Sequence, residues 1–207
     1  MSAQPPEPHG PTSTVSYRQL CDLAEAFESE ADRRGIPVWA EVGGQEITVQ
    51  LTSRTSAHAR VVSVLGRQIE NQDEAAVTLS GARVHHPAIG LCRTSDLVIM
   101  AAETYERRTE EFASFAPDVL AVVEVVSPSN PGNDYVSKLR DYPRMGVPEY
   151  VIVDPRNGTV TVHSGPDAAG GEPRYADARR HYKFGDVVPV GPWAIDTAKF
   201  PRYLRQP

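Results

Sequence analysis

Residues 115–155 read FAPDVLAVVEVVSPSNPGNDYVSKLRDYPRMGVPEYVIVDP, and this stretch carries most of the information about the fold. Its segment 119–126 is apolar and mostly β-branched and lies between Pro117 and Pro128, which is typical of a buried central strand. Glu124 lies inside this segment. Because an ionised carboxylate is costly to bury without a cation or hydrogen-bond donors, Glu124 is predicted to form a buried salt bridge or to bind a metal ion.

A lysine follows this strand on a short predicted helix. Lys138 lies beside the apolar stripe of the helix, which consists of Tyr135, Leu139 and Tyr142. At 100° per residue the lysine is about 40° from Tyr142 and about 60° from Tyr135, at the edge of the face that packs inward. The ammonium group is therefore expected to reach the same pocket as the Glu124 carboxylate.

A second acid lies at the end of another apolar segment. Residues 96–100 read DLVIM and predict a strand with Asp96 at its end. Taken alone, Asp96 is equally well explained as a strand-edge carboxylate. Together with Glu124 and Lys138 it predicts a site in which two acids and one lysine converge on a sheet.

The other hydrophobic patterns predict an α/β (α+β) fold in which helices flank a mixed β-sheet. Ser16 and Gln19 form a capping box that starts an amphipathic helix. A second helix is predicted over 56–70, and further strands over 38–42, 46–51, 76–79, 83–86, 150–154 and 159–163. Residues 1–14 are predicted to be a flexible tail, residues 15–207 a single domain, and residues 164–173 an exposed loop.

Composition limits the partners. The 207 residues include 21 basic and 27 acidic side chains, and the net charge of −6 argues against coating of nucleic acid by bulk attraction. A polyanion would instead meet a local basic surface. No apolar segment approaches the roughly 20 residues of a membrane span, and the N-terminus has no secretion signal. We therefore expect a cytoplasmic protein without membrane contact.

Cys21 and Cys92 are the only cysteines in the sequence. They form no CxxC motif and have no histidine at ligand spacing. Buried thiols are therefore expected, with a disulfide or a metal-binding pair as the minor alternative.

The string PDVLAVVEVVSPSN, followed by Lys138 and GVPEYVIVDP, resembles the Uma-two family of restriction-endonuclease-like proteins in the PD-(D/E)XK nuclease superfamily. The resemblance is specific over 94–155. The first acid of the family motif stands here as Ser95-Asp96 in place of Pro-Asp, and the glutamate of the family is Glu124.

The lysine of the superfamily normally stands two residues after this glutamate, where the present chain has Val126. The resemblance therefore assigns the lysine's role to Lys138, in agreement with its place on the predicted helix. The early hairpin reads GGQ at 43–45 where the family typically has Asp-Gly, which leaves a role for Glu41 open.

The resemblance implies a restriction-endonuclease-like core and a metal-dependent endonuclease that hydrolyses phosphodiester bonds of DNA. Asp96 and Glu124, with the Val125 carbonyl, would hold Mg²⁺ or Mn²⁺. Lys138 would orient the attacking water and stabilise the developing charge, and a lowered lysine pKa would let it help to deprotonate that water. Alanine at Asp96, Glu124 or Lys138 is expected to abolish cleavage and leave the fold intact. Related nucleases suggest a homodimer by analogy.

Three further residues are candidates for accessory roles. Glu41, on the first hairpin, is a candidate to face the site, or it has no role there. His58, in the first turn of the second helix, would contact a phosphate or serve only the fold. Asp118 lies six residues before Glu124 and would share its strand face, or would only begin the strand.

The same residues are compatible with two other functions. One is a catalytically silent nuclease-like domain that binds nucleic acid or a protein partner. The other is a metal-dependent hydrolase of a different phosphoester.

Overall fold

The computed structural model describes residues 15–52, 55–107, 114–128, 130–167, 171–176 and 180–203, so the predicted tail 1–14 lies outside the described residues. The helices are α1 (Tyr17–Arg33), α2 (Ser56–Gln72), α3 (Ala102–Arg107) and α4 (Lys138–Arg144). The strands are β1 (Val38–Gly43), β2 (Glu46–Leu51), β3 (Ala76–Ser80), β4 (Arg83–His86), β5 (Leu91–Thr94), β6 (Leu97–Ala101), β7 (Val119–Val125), β8 (Glu149–Asp154), β9 (Thr159–Ser164), β10 (Pro166–Asp167), β11 (Arg174–Tyr175), β12 (Arg180–Lys183), β13 (Val187–Val190) and β14 (Trp193–Asp196). Within these ranges no helix combines the length and the apolar character needed to cross a membrane.

A six-stranded mixed sheet forms the centre of the fold, in the order β12-β9-β8-β7-β6-β3. Among these described strands, β7 and β8 run parallel and the other neighbours run antiparallel. β7 has a strand on each side and is buried over nearly its whole length, which suits its β-branched sequence. The predicted mixed sheet with a buried central strand is therefore confirmed.

The two faces of this sheet pack against different elements. Val123 and Val125 of β7 point to the face that is covered by α2 and the β13–β14 hairpin. Val122 and Val126 point to the opposite face, which is covered by α4. Because side chains alternate along a strand, Glu124 shares the α4 face with Val122 and Val126.

A second, antiparallel sheet has the order β2-β1-β5-β4 and is covered by α1. α1 begins at the predicted capping box, in which the Ser16 side chain accepts from the Gln19 N–H and the Gln19 side chain accepts from the Ser16 N–H. The small core between helix and sheet consists of Leu20, Cys21, Ala24, Ala40, Val42 and Cys92.

One predicted loop contains paired strands. The segment 164–173 was expected to be exposed and irregular, but its described part includes β10, which pairs with β11. The Tyr175 hydroxyl of β11 donates to the Val147 carbonyl at 3.0 Å. This tertiary contact holds the short hairpin against the body of the protein, and no local sequence pattern predicts it.

Candidate active site

Asp96 and Glu124 lie together at one end of the central sheet. β6 runs antiparallel to β7 with Leu97 opposite Val123, so the residue before β6 lies beside the last residues of β7. The Val125 N–H donates to Asp96 Oδ2 at 2.8 Å, and the Asp96 N–H donates to Glu124 Oε2 at 3.4 Å. Neighbouring strands therefore present both acids at the same edge.

Lys138 reaches this edge from the start of α4. A π-helical turn over Asn133–Ser137 precedes the helix. Lys138 Nζ lies 2.9 Å from Glu124 Oε1 and donates to the Thr94 carbonyl at 2.7 Å. Tyr142, one turn later, donates its hydroxyl proton to the same Glu124 oxygen at 2.8 Å. The structure thus brings Asp96, Glu124 and Lys138 into one site, with Tyr142 as an additional partner.

The lysine is held in its charged form. Its side chain is only 1% exposed. Burial by itself lowers the pKa of Lys138, but Glu124, Glu41 and the other nearby carboxylates outweigh burial and hold this pKa above its ordinary value. This direction is opposite to the lowered pKa on which a proton-accepting role for Lys138 depends.

Asp134 is a third acid at the site that the sequence reasoning missed. It lies in the π-helical turn, is buried and lines the cleft, with Oδ1 3.9 Å from Lys138 Nζ. Burial is the main cause that raises the pKa of Asp134 to about 6. The available signal was its spacing, because an acid four residues before a lysine faces it on a helix.

His58 contacts the first acid from α2. Its Nε2 lies 3.0 Å from Asp96 Oδ2, and its backbone N–H donates to the Thr55 side chain that caps the helix. Burial by itself would raise the pKa of Asp96, but the hydrogen bond from His58, the charge of Lys138 and the Val125 N–H outweigh burial and keep this pKa below its ordinary value. Asp96 is therefore available as a carboxylate ligand, with His58 fixing its orientation.

Glu41 lies just behind the cleft. It is buried on β1, and its Oε1 accepts from the Thr94 N–H at 3.1 Å and lies 3.8 Å from Lys138 Nζ. Its Oε2 lies 3.9 Å from Arg93 Nε. Glu41 does not line the cleft itself, and its link to the site is this contact with Lys138.

Asp118 does not reach the cleft. It lies in a 3-10 turn before β7 begins, and six residues of strand separate it from Glu124 by about 20 Å. The register of β7 against β6 also shifts at Leu120, and this bulge breaks the strict alternation on which the prediction for Asp118 depended.

A small cavity lies between these side chains. Its volume is about 50 Å³, and its lining includes Asp96, Glu124, Val125, Asp134 and Lys138. A single water molecule needs about 10–15 Å³, so the cavity has room for an ion that keeps some of its waters.

The donor set fits a hard divalent cation. Two carboxylates and one backbone carbonyl are oxygen ligands, and Mg²⁺ typically keeps several waters beside one or two carboxylates. In the described parts of the chain, three side chains of the metal-binding types converge within 4.8 Å only at Cys21, His85 and Cys92, which do not line this cleft.

The mixed sheet and its flanking helices define an α+β protein with a restriction-endonuclease-like core. The fold is similar to a crystal structure described as a "putative nuclease belonging to DUF820" from Anabaena variabilis. The two chains are 14% identical, the TM-score is 0.58, and the match covers 78% of this chain and 89% of that chain.

A family model described as "Putative restriction endonuclease" (Uma2) matches residues 40–193. The chain therefore belongs to the Uma2 family, as the resemblance of its central segment predicts. No curated protein matches the chain.

Proposed function

We propose that this protein is an endonuclease that hydrolyses phosphodiester bonds of DNA with Mg²⁺ or Mn²⁺ as its cofactor. The observation that carries the proposal is the meeting of Asp96 and Glu124, at adjacent strand ends, with the Lys138 ammonium group in one cleft. Membership of the Uma2 family supports a nuclease-like function.

Asp96, Glu124 and the Val125 carbonyl are the groups that would hold the cation. A bound divalent ion neutralises phosphoryl oxygens and lowers the pKa of water, which is the chemistry that phosphodiester hydrolysis needs. Asp96 suits this role because the pKa of its carboxyl group is held below the ordinary value, so it stays ionised over a wide pH range.

In this proposal Lys138 and Asp134 have the two remaining catalytic roles. Lys138 supplies a fixed positive charge that stabilises the negative charge developing on the phosphate in the transition state. Asp134 accepts the proton of the attacking water. It lines the cleft, and its pKa of about 6 leaves it ionised and still basic at neutral pH.

DNA is the proposed substrate because the family is described by the words restriction endonuclease. With a net charge of −6, binding of a polyanion would depend on the cation and on local basic groups. By analogy with related nucleases the proposal includes a homodimer, which sedimentation velocity would detect.

A cleavage assay tests the proposed activity. Supercoiled plasmid, single-stranded DNA, RNA and a small phosphodiester are incubated with the protein in Mg²⁺, Mn²⁺ or chelator. We expect metal-dependent plasmid cleavage that falls by about 100-fold or more in Asp96→Asn and Glu124→Gln. Asp118→Asn, at the far end of β7, is the matched control and should retain activity. Full activity in Asp96→Asn, Glu124→Gln and Lys138→Met would remove the assignment, and cleavage of the small diester alone would indicate another phosphoesterase.

One observation favours a second candidate function. Glu124 Oε1 already accepts hydrogen bonds from both Lys138 and Tyr142, which also suits a purely structural buried ion pair. The alternative is a nuclease-like domain that binds nucleic acid or a protein partner without turnover. A mobility-shift assay separates the two, because binding of DNA without cleavage in either metal would support the silent domain.

A further inference from the structure

A second cluster of reactive side chains lies under α1, outside the cleft. Cys21 of α1, His85 of β4 and Cys92 of β5 each offer a ligand atom, and these atoms all lie within 4.8 Å of one another. The three residues are 2%, 4% and 1% exposed, respectively. None of them lines the carboxylate cleft.

The antiparallel pairing of β4 and β5 explains why these residues meet. His85 and Cys92 are direct cross-strand partners, and α1 places Cys21 over the same face of the second sheet. The sequence reasoning found no histidine at ligand spacing because the partner is supplied by strand register and by helix packing. The expected buried thiols are present, and the metal-binding alternative gains a histidine partner that the spacing does not show.

The histidine is oriented as a metal ligand. The Tyr17 hydroxyl donates to the Leu91 carbonyl at 3.0 Å, and its oxygen lies 3.0 Å from His85 Nδ1. The metal-binding tautomer is the one in which Nδ1 carries the imidazole proton and donates it to the tyrosine oxygen. The Nε2 lone pair then faces Cys92 Sγ at 3.9 Å. Metal-binding histidines typically use one nitrogen for the metal and donate the other N–H in this way.

We propose that Cys21 Sγ, Cys92 Sγ and His85 Nε2 form a structural Zn²⁺ site. Zinc prefers thiolate and imidazole ligands in a tetrahedron, with bonds of about 2.3 Å to sulfur and 2.0–2.1 Å to nitrogen. These bonds imply ligand-to-ligand separations of roughly 3.5–3.8 Å, so a small inward movement of the side chains completes the site.

Charge balance also suits this buried position. Binding converts two thiols to thiolates and releases two protons, and the two negative charges neutralise the ion. The resulting site is neutral overall, so its burial carries no net charge into the small core that joins α1 to the second sheet. A bound ion would cross-link α1 to the second sheet and so stabilise that core. This proposal does not depend on the nuclease activity.

Zinc binding is tested on the full chain, reduced and treated with chelator. Addition of ZnCl2 at about 100 times the dissociation constant should raise the melting temperature by roughly 5–10 °C. Replacement of zinc by Co²⁺ should give the visible absorption of a tetrahedral cobalt–thiolate site. Cys21→Ser, Cys92→Ser and His85→Gln should lose the zinc-dependent shift, whereas Glu124→Gln, in the carboxylate cleft, should keep it.

Thiol reactivity decides the result if the variants do not fold. In the wild-type protein after chelation, a thiol reagent should modify the two buried thiols slowly, through local opening of the α1 core, and more slowly still in the presence of zinc. No zinc retained after dialysis together with no cobalt absorption would overturn the proposal. Formation of a Cys21–Cys92 disulfide in aerated buffer containing zinc would also overturn it, because the pair would then be a redox couple.

Discussion

The charge pair between Lys138 and Glu124 links the stability of the protein to its proposed chemistry. Both side chains are 1% exposed, and Nζ lies 2.9 Å from Oε1. Burial raises the pKa of Glu124 well above its ordinary value even beside Lys138, so removing the lysine leaves a carboxyl group that is costly to ionise, whereas removing both partners is often close to neutral. A single substitution here is therefore expected to lower the free energy of unfolding even where the variant still folds.

We expect Lys138→Met to lower the free energy of unfolding by about 3–5 kcal/mol. The double variant Lys138→Met/Glu124→Gln should recover most of this loss, because the side chain at position 124 is then neutral and no unpaired carboxylate remains. Urea unfolding at neutral pH in chelator measures both values. Equal stability of Lys138→Met and the wild-type protein would contradict a buried charge pair.

Asp134 should make the stability depend on pH. Burial raises the pKa of this acid to about 6 from an ordinary value of 3.8. An acid whose pKa is higher in the folded state binds more protons there, so its contribution to stability is present at low pH and is lost as the pH rises through about 6.

Asp134→Asn should therefore raise the free energy of unfolding at pH 8 in chelator by about 1–3 kcal/mol relative to the wild-type protein. The difference should vanish near pH 4. The same variant should lose cleavage activity, because the amide cannot accept a proton. Urea unfolding at several pH values gives the test, and a difference that stays constant from pH 4 to pH 8 would contradict the raised pKa.

At the level of elements, the start of α2 connects helix capping to the site. Thr55 accepts from the His58 N–H, and the His58 ring contacts Asp96. The α1 cap at Ser16 has the same chemistry but lies on the second sheet, where it touches no residue of the cleft.

Loss of either cap should cost about 1 kcal/mol of unfolding free energy. Thr55→Ala should also reduce the cleavage rate, since the position of His58 loosens, whereas Ser16→Ala should leave the rate unchanged. Thermal unfolding and plasmid cleavage, measured on both variants, provide the comparison. Equal rates for the two would show that the α2 cap has no role beyond stability.

Elements with strong local signals could be predicted from the sequence. The capping box predicted the start of α1. The apolar segment before Pro128 predicted β7, because a short, β-branched apolar segment is typical of a buried strand. The turn over Asn133–Ser137 could not be predicted in detail, since a π-helical turn departs from the 3.6-residue period.

At the scale of the whole molecule, the cleft lies where the two sheets meet. β5 of the second sheet leads into β6 of the central sheet through Ser95 and Asp96. The second sheet supplies Glu41 and the Thr94 carbonyl to Lys138. Sequence patterns indicated the strands but not this junction, because pairing between distant strands is set by long-range packing.

Binding of a divalent ion by Asp96 and Glu124 together is measured most directly by a calorimetric titration with Mn²⁺. Wild-type protein and Asp118→Asn should bind one Mn²⁺ ion with the same affinity at the cleft. Asp96→Asn and Glu124→Gln should each lose that binding event while remaining folded by circular dichroism. Unchanged Mn²⁺ binding in either cleft variant, or no binding by the wild-type protein, would contradict the account.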